Sequence, residues 1–257
     1  MAKVLYFDTE TTGIPDRNAN WESDFQDYPH IVQLSWIAAD GREEDHIIYP
    51  DGWEIPAELT EIHGISTEIA KQKGESFVGV VHLFIQDCHD AEFICGHNIH
   101  FDTSIVKANI LRELGRSYYD LNEVDMALFK GKRIDTMRPA MKWVDARRAD
   151  GKLKFPRLEE LYARCFPGET FNAHNAMEDT RAVARCLPVL LENGVLELKV
   201  KEYPPKPTEN PANGANPGIK QENDKSLDFS VKSPQIENPV QLSPEETELL
   251  NADEDNF

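Results

Sequence analysis

The chain has 257 residues, of which 46 are acidic and 27 basic, and its formal net charge is −19. Such an acidic chain is a poor candidate for a protein that coats duplex nucleic acid, because that role needs many cation–phosphate contacts. No apolar run approaches the ~20 residues of a membrane span. Asp8 interrupts the apolar stretch at the N-terminus, so we predict no signal peptide and expect a soluble, cytoplasmic protein. The four cysteines lack CxxC spacing, which favours reduced, buried thiols over disulfides or a zinc site.

The predicted elements change in kind along the chain. Short apolar runs predict strands at 3–8, 31–39, 44–50, 91–96 and 133–135. Helical periodicity predicts helices within 57–70 and at 77–88, 101–114, 136–148, 157–165 and 175–193. Three consecutive strands followed by alternating helix and strand predict an α/β domain with a mixed central sheet flanked by helices.

The C-terminal part of the chain has a different composition. Residues 201–257 hold 8 of the 16 prolines, no tryptophan, 12 acidic residues and 5 basic ones. Such a segment cannot bury enough apolar surface to offset its chain entropy. We therefore predict one folded domain over residues 1–200 and an acidic, proline-rich, disordered tail over residues 201–257.

Two carboxylates stand where the first predicted strand ends, in the segment Asp8-Thr9-Glu10. Because residues i and i+2 of a strand point to the same side, Asp8 and Glu10 would present their carboxylates together. Hard oxygen ligands of this kind suit Mg²⁺ or Mn²⁺. On its own, the pair is also typical of a solvated strand end.

A further carboxylate, Asp102, closes the segment 96–102 between a predicted buried strand and a predicted helix. It would lie in the first turn of that helix, beside the strand end. An aspartate in a first turn also simply complements the helix dipole, so this position alone is ambiguous.

A histidine and a carboxylate mark the start of the last predicted helix. His174 precedes the helix and Asp179 lies about one turn into it, so both could face the same opening. Histidine is the side chain best suited to exchange protons near neutral pH. The alternative role of His174 is a hydrogen bond that starts the helix.

Taken together, these segments resemble the DEDDh family of 3′–5′ exonucleases, which includes the proofreading subunit of bacterial DNA polymerase III. The segments 63–65 and 134–136 also look like the family's connecting features, and Ile14 stands where the family often has leucine. The resemblance covers roughly residues 3–195. The matching motifs are FDTETTG at 7–13, HNIHFD at 97–102 and AHNAMEDTRAVARCL at 173–187.

This resemblance implies a ribonuclease H-like fold and two divalent cations, Mg²⁺ or Mn²⁺. It implies that Asp8, Glu10, Asp102 and Asp179 are metal ligands and that His174 is the general base. Four nearby carboxylates would repel one another strongly unless cations neutralised them. The expected products are nucleoside 5′-monophosphates released stepwise from a 3′ end.

The resemblance also suggests residues that contact the substrate. In the family, residues just after the first motif wedge against the terminal base. The matching and neighbouring positions that we predict to bind substrate are Thr9, Thr11, Thr12, Phe101, His97 and Asn98.

A basic segment indicates a path for the nucleic acid. Residues 130–157 hold ten Lys or Arg and three Asp, with Trp143 and Phe155 among them. Cations interleaved with aromatic rings suit a single strand, although an ordinary solvated helix and loop is the alternative. The loop at 16–29 is another candidate lip of the site, through Trp21, Phe25 and Tyr28.

The predicted tail contains two peptide-like segments. Residues 224–229, DKSLDF, partly resemble a peptide that binds the bacterial sliding clamp, but Asp224 replaces its glutamine. The last residues, ADEDNF, resemble the acidic tip of bacterial single-stranded DNA-binding proteins. An ordinary solubilising tail is the alternative.

We therefore expect a metal-dependent 3′–5′ exonuclease acting on single-stranded DNA ends, in proofreading, repair or end trimming. One alternative is an exoribonuclease that trims RNA. Another is a module that docks a DNA polymerase or a sliding clamp through its tail, with catalysis secondary.

Overall fold

A five-stranded sheet forms the centre of the computed structural model, which describes residues 2–199. The strands lie side by side in the order β3-β2-β1-β4-β5. The first three are antiparallel neighbours, whereas β4 and β5 run parallel to β1. The strands are β1 (Val4–Thr11), β2 (Ile31–Ile37), β3 (Glu43–Ile47), β4 (Phe93–Gly96) and β5 (Arg133–Asp135).

Helices follow the strands and cover both faces of the sheet, which confirms the predicted α/β class. Among residues 2–199 these are α1 (Ala57–His63), α2 (Thr67–Lys73), α3 (Phe77–Asp90), α4 (Ile99–Leu121), α5 (Val124–Ala127), α6 (Met137–Val144), α7 (Leu158–Cys165) and α8 (Ala176–Glu192). None of the helices in this range is long and apolar enough to span a membrane.

The side chains of β1 alternate between two apolar layers. Leu5 and Phe7 are fully buried in the larger core, with α3, α4 and α5. Val4 and Tyr6 pack against the smaller core, formed with α6, α7 and α8. Because alternate residues of a strand face opposite sides, Asp8 falls on the face that α8 covers.

The boundaries of several elements differ from the predicted ones. The first strand continues to Thr11 instead of ending at residue 8, because Thr9 and Thr11 pair with β2. Helix α4 begins earlier than predicted and bends at Gly115, whose φ of 76° interrupts the helix. Helix α5 was not predicted, since a single turn of four residues carries no periodicity.

Two further predictions concern the cysteines and the C-terminal tail. All four cysteines are free thiols, and three of them are buried. The predicted tail, including both peptide-like segments, lies outside the described residues, so the domain boundary near residue 200 stays a prediction.

Candidate active site

The first motif forms the floor of the candidate site. Asp8 and Glu10 lie near the C-terminal end of β1 and project from the same face of the sheet, as predicted. In the antiparallel pair with β2, Asp8 stands opposite Ser35 and Glu10 opposite Gln33. The strand therefore holds two carboxylates side by side on a rigid element.

Helix α8 brings a third carboxylate to the pair. Asp179 lies in its first turn, and carboxylate oxygens of Asp8, Glu10 and Asp179 lie within 4.8 Å of one another. The Oδ2 atom of Asp179 accepts a hydrogen bond of 3.1 Å from the backbone N–H of His174. Its Oδ1 atom is buried, and within the described range nothing hydrogen-bonds to it. A buried carboxylate oxygen without a hydrogen-bond partner, on a residue of a carboxylate cluster, fits a cation.

Asp102 approaches β1 from helix α4 and is almost fully buried, at 2% exposure. The hydroxyl of Thr9 donates to its Oδ1 atom at 2.7 Å, and the backbone N–H of Thr9 approaches the same atom at 3.2 Å. Thr9 lies between the other two carboxylates of the first motif. Asp102 is therefore hydrogen-bonded to the same strand that carries Asp8 and Glu10.

Burial and mutual repulsion make these carboxyl groups weak acids. Burial, followed by the charges of Asp179 and Asp102, raises the pKa of Glu10 to about 8. Burial raises the pKa of Asp102 to about 7, against the hydrogen bonds from Thr9, and that of Asp179 to about 7. The pKa of Asp8 is raised well above its ordinary value by burial and by the same neighbours. An all-oxygen donor set of this kind suits a hard divalent cation.

His174 stands beside the cluster with its side chain exposed. Its backbone φ is 66°, in the left-handed region that non-glycine residues adopt at a cost of roughly 1–2 kcal/mol. The residue is held there by its N–H bond to Asp179. Its Nε2 atom lies 3.7 Å from Oε1 of Glu159, a residue of α7 that no sequence motif marked. The imidazole is therefore open to solvent and faces a carboxylate.

The predicted substrate contacts after the first motif hold the strand end in place. The hydroxyl of Thr9 is engaged with Asp102, and that of Thr11 donates to the carbonyl of Gly13 at 2.6 Å. The Oγ1 atom of Thr12 accepts from the N–H of His30 at 2.9 Å. These contacts make the turn rigid, and substrate binding by the three threonines stays a prediction.

Side chains of the second motif, at 97–102, also make contacts within the protein. Both ring nitrogens of His97 bond within the protein, to Oγ1 of Thr136 at 3.0 Å and to the carbonyl of Pro156 at 2.9 Å. The backbone of Asn98 is left-handed, with φ at 62°, and Phe101 is half-buried against the larger core. His97 thus tethers two neighbouring segments, and its role as a substrate contact is untested, like those of Asn98 and Phe101.

The basic segment only partly matches the predicted nucleic-acid surface. The Nζ atom of Lys132 donates to the carbonyls of Cys88 and Ala91, and the guanidinium of Arg133 to that of Leu128. These cations stabilise the fold instead of facing solvent.

Other cations of the basic segment lie near the second motif. Lys130 and Arg138, together with the inward-bonded Arg133, are close enough to lower the pKa of His100 through their charge, although burial is the larger cause. The guanidinium of Arg138 also stacks 5.4 Å from the ring centroid of Phe155. Lys130 and Arg138 therefore form a basic rim beside the first turn of α4, which carries Asp102.

The aromatic residues of the 16–29 loop do not form the open lip that we predicted. The ring of Trp21 stacks on Tyr119 with centroids 6.0 Å apart, and Tyr28 is buried. Phe25 also packs against the larger core. Their apolar rings are held against α4, since burying them stabilises the loop.

Comparison with known proteins adds a family and a fold. A family model described as "RNase_T: Exonuclease" matches residues 5–187. E. coli exonuclease I in complex with a dA16 oligonucleotide is similar over 75% of this chain and 41% of its own, with a TM-score of 0.54 and 22% identity. An exonuclease I from Methylocaldum szegediense is similar over 75% of this chain and 41% of its own, with a TM-score of 0.52 and 20% identity.

A product-bound exonuclease I gives a TM-score of 0.56 at 19% identity, over 76% of this chain and 45% of that one. The chain therefore spans less than half the length of these solved structures. No curated protein matches the chain. The structural likeness confirms the predicted ribonuclease H-like fold.

Proposed function

Because the chain belongs to the RNase_T exonuclease family, the DEDD-type 3′–5′ exonucleases, we propose that it hydrolyses single-stranded DNA from the 3′ end. The family implies the use of a divalent metal, and the carboxylate cluster that could hold one is present. The proposed products are nucleoside 5′-monophosphates, released one at a time.

The carboxylate cluster is the observation that supports this proposal most directly. Carboxylate oxygens of Asp8, Glu10 and Asp179 lie within 4.8 Å of one another. The buried Oδ1 atom of Asp179 has no hydrogen-bond partner among residues 2–199. We propose that these three residues and Asp102 hold two cations, Mg²⁺ or Mn²⁺. Bound in this way, the cations would supply Lewis-acid stabilisation of the phosphodiester and of the leaving 3′ oxygen.

The chain's own residues divide the remaining work. His174 accepts the proton of the attacking water at its imidazole, which is exposed and outside the apolar core. Glu159 faces the same ring at 3.7 Å, so its charge stabilises the imidazolium once it forms. Thr9 holds Asp102 in position, and the rigid turn at Thr11 and Thr12 closes the end of the strand.

A single strand suits the surroundings of the cluster. The basic rim of Lys130 and Arg138 could neutralise backbone phosphates next to the second motif. The similar E. coli exonuclease I structure is a complex with the oligonucleotide dA16. We therefore favour single-stranded DNA as the substrate, in proofreading, repair or end trimming.

RNA trimming is the second candidate activity, since a carboxylate cluster does not distinguish the two sugars. A docking role for a polymerase or a sliding clamp is a third proposal. It depends on residues 224–229 and on the terminal ADEDNF, which lie outside the described residues.

The direct test uses a 5′-labelled single-stranded DNA and the RNA of the same sequence. Each is incubated with Mg²⁺, Mn²⁺ or EDTA, beside an Asp8→Ala variant as the control. We expect a ladder that shortens from the 3′ end and depends on metal and on Asp8, with DNA cleaved faster.

Faster cleavage of RNA would replace the proposed substrate class. Metal-independent cleavage, or normal cleavage by Asp8→Ala, would refute the ligand assignment. No cleavage of either polymer would favour the docking role.

A further inference from the structure

A row of polar side chains crosses the sheet beside the carboxylates of β1. In register, Glu10 stands opposite Gln33, and Asp8 stands opposite Ser35, which itself stands opposite Asp45 on β3. Directly opposed residues share a face, with Cβ atoms about 4.5–5.5 Å apart. Gln33 and Ser35 are therefore the cross-strand neighbours of two proposed ligands, although no motif includes them.

Gln33 links the sheet to the start of helix α8. It is buried, at 3% exposure. Its Nε2 atom donates to Oδ1 of Asp45 at 2.7 Å, and its Oε1 atom accepts from the backbone N–H of Ala176 at 3.3 Å. Ala176 is the first residue of α8, so its N–H has no acceptor within the helix. Gln33 provides the missing acceptor.

The two contacts determine which side chains can serve at this position. A carboxylate can only accept a hydrogen bond and a backbone N–H can only donate one, so the residue between them must do both. Ser35 also donates to Oδ1 of Asp45, at 2.7 Å, which fixes that carboxylate in turn. A glutamate at position 33 would place a second negative charge against Asp45, and a methionine would make neither bond.

The start of α8 carries two groups of the proposed reaction. Asp179 lies in its first turn, and His174, just before the helix, donates its N–H to Asp179. The position of this turn therefore sets the distance of Asp179 from the β1 carboxylates. We infer that Gln33 is a positioning residue of the exonuclease, which holds the first turn of α8 against the carboxylates of β1. This inference rests on the proposed function.

The primary test compares the full chain with its Gln33→Met variant, using single-stranded DNA and Mn²⁺. A displacement of about 1 Å at a reacting group can cost about 100-fold in rate. We expect kcat to fall between about tenfold and about 100-fold, with KM for the oligonucleotide unchanged. The Mn²⁺ concentration for half-maximal activity should rise.

A second readout does not depend on activity. In the metal-free protein, amide hydrogen exchange over residues 174–180 should be faster in Gln33→Met, because the N–H of Ala176 loses its acceptor. Exchange within α4 serves as the internal reference. The matched control is Asn109→Leu, which also removes a buried amide that bonds to the backbone but lies away from α8. This control should lower the melting temperature without changing kcat or the Mn²⁺ dependence.

A double variant that exchanges the carboxylate and the amide between positions 33 and 45 tests whether activity can be rescued. Gln33→Glu alone should lose activity, since its carboxylate opposes Asp45. In the double variant with Asp45→Asn, the side-chain amide at position 45 can donate to the carboxylate at position 33. The net charge is that of the wild type, and the second carboxylate oxygen at position 33 can still accept from the N–H of Ala176. The double variant should recover a substantial part of kcat.

Three outcomes would overturn the inference while wild-type cleavage still supports the proposed function. These are a Gln33→Met variant with wild-type kcat and Mn²⁺ dependence, unchanged amide exchange at 174–180, or a double variant no better than Gln33→Glu. A wild-type protein that cleaves neither polymer would instead refute the proposed function. A loss of stability in Gln33→Met equal to that of Asn109→Leu, with no change in kcat, would mark Gln33 as merely structural.

Discussion

The hydroxyl of Thr9 donates a 2.7 Å hydrogen bond to Oδ1 of Asp102, across 93 positions of sequence. Thr9 projects from the face of β1 opposite to Asp8 and Glu10. The same strand therefore presents two carboxylates on one face and positions a third from the other. Thr9, the central residue of Asp8-Thr9-Glu10, therefore holds the Asp102 side chain beside the strand.

We expect Thr9→Val to cleave single-stranded DNA about tenfold more slowly than the wild type. The substitution keeps the shape but removes a hydrogen bond to a charged group, which is worth about 1.5–3 kcal/mol. Steady-state kinetics and a Mn²⁺ titration measure the effect, and Thr9→Ser should retain most activity.

Thr67→Val is the matched control for this prediction. Thr67 is a buried threonine whose hydroxyl accepts from the N–H of Ile55, in a separate apolar cluster. It should lose stability and keep its Mn²⁺ dependence. Equal rates for Thr9→Val and the wild type would remove Thr9 from the site.

We expect Asp8→Asn to lose activity by a factor on the order of 10³ or more, since several kcal/mol of cation binding depend on this ligand. The same variant should be at least as stable as the wild type in EDTA, because burial and three neighbouring carboxyl groups raise the pKa of Asp8. Thermal unfolding in EDTA, beside the activity assay, tests both parts. A marked drop in melting temperature would mean that Asp8 supports the fold.

The sequence motifs were enough to propose the four ligands, but they did not predict the contacts that hold these side chains in place. The alternation of a strand was enough to place Asp8 and Glu10 on one face. The bond from Thr9 to Asp102 depends instead on how α4 packs on the sheet. Gln33 and Ser35 are the polar residues of a mostly apolar strand, which is a signal that the sequence alone could have offered. The partner of Gln33, Asp45, follows only from the register of β2 and β3.

Packing also changed the meaning of residues that sequence alone had marked for the substrate. Lys132 bonds to backbone carbonyls inside the fold, and Trp21 stacks on Tyr119. Cations and aromatic rings serve a core as readily as a nucleic acid, and the sequence pattern does not distinguish the two uses.

Without metal, the stability of the protein should fall as the pH rises above about 6.5. The pKa of Glu10 is raised from 4.5 to about 8, and those of Asp102 and Asp179 from 3.8 to about 7. The folded state therefore binds more protons than the unfolded state over this range. The stabilisation is complete below the ordinary values and is lost as the pH rises through about 7 to 8.

Melting temperatures in EDTA between about pH 6.5 and 8.5 test this expectation. Histidines whose pKa is lowered by burial, such as His30 and His63, make stability rise with pH, so they cannot produce this fall. Excess Mn²⁺ should reduce the fall, because cations neutralise the ionised cluster. An equally steep fall in an Asp8→Asn/Asp179→Asn double variant would assign it to other groups.

Removal of residues 204–257 should leave hydrolysis of short single-stranded oligonucleotides unchanged. All five residues of the proposed site lie within the described range, at positions 8 to 179. The measurement is kcat and KM on one free oligonucleotide for the full chain and the shortened one. If activity disappears with this segment, the catalytic core is not confined to the first 203 residues, and the docking proposal gains support.

His174→Gln should reduce kcat by a factor of about 10²–10⁴, the usual contribution of a general base. Because the side chain is more than half exposed, at 58%, the substitution should not change the melting temperature. The N–H bond to Asp179 comes from the backbone, so Mn²⁺ binding by calorimetry should also be unchanged. His89→Gln is the matched control, since His89 bonds to the carbonyl of Asn122, just beyond the end of α4, and should keep full activity. A His174→Gln variant with wild-type kcat would show that another group takes the proton, and one with weakened Mn²⁺ binding would make His174 part of the metal site instead.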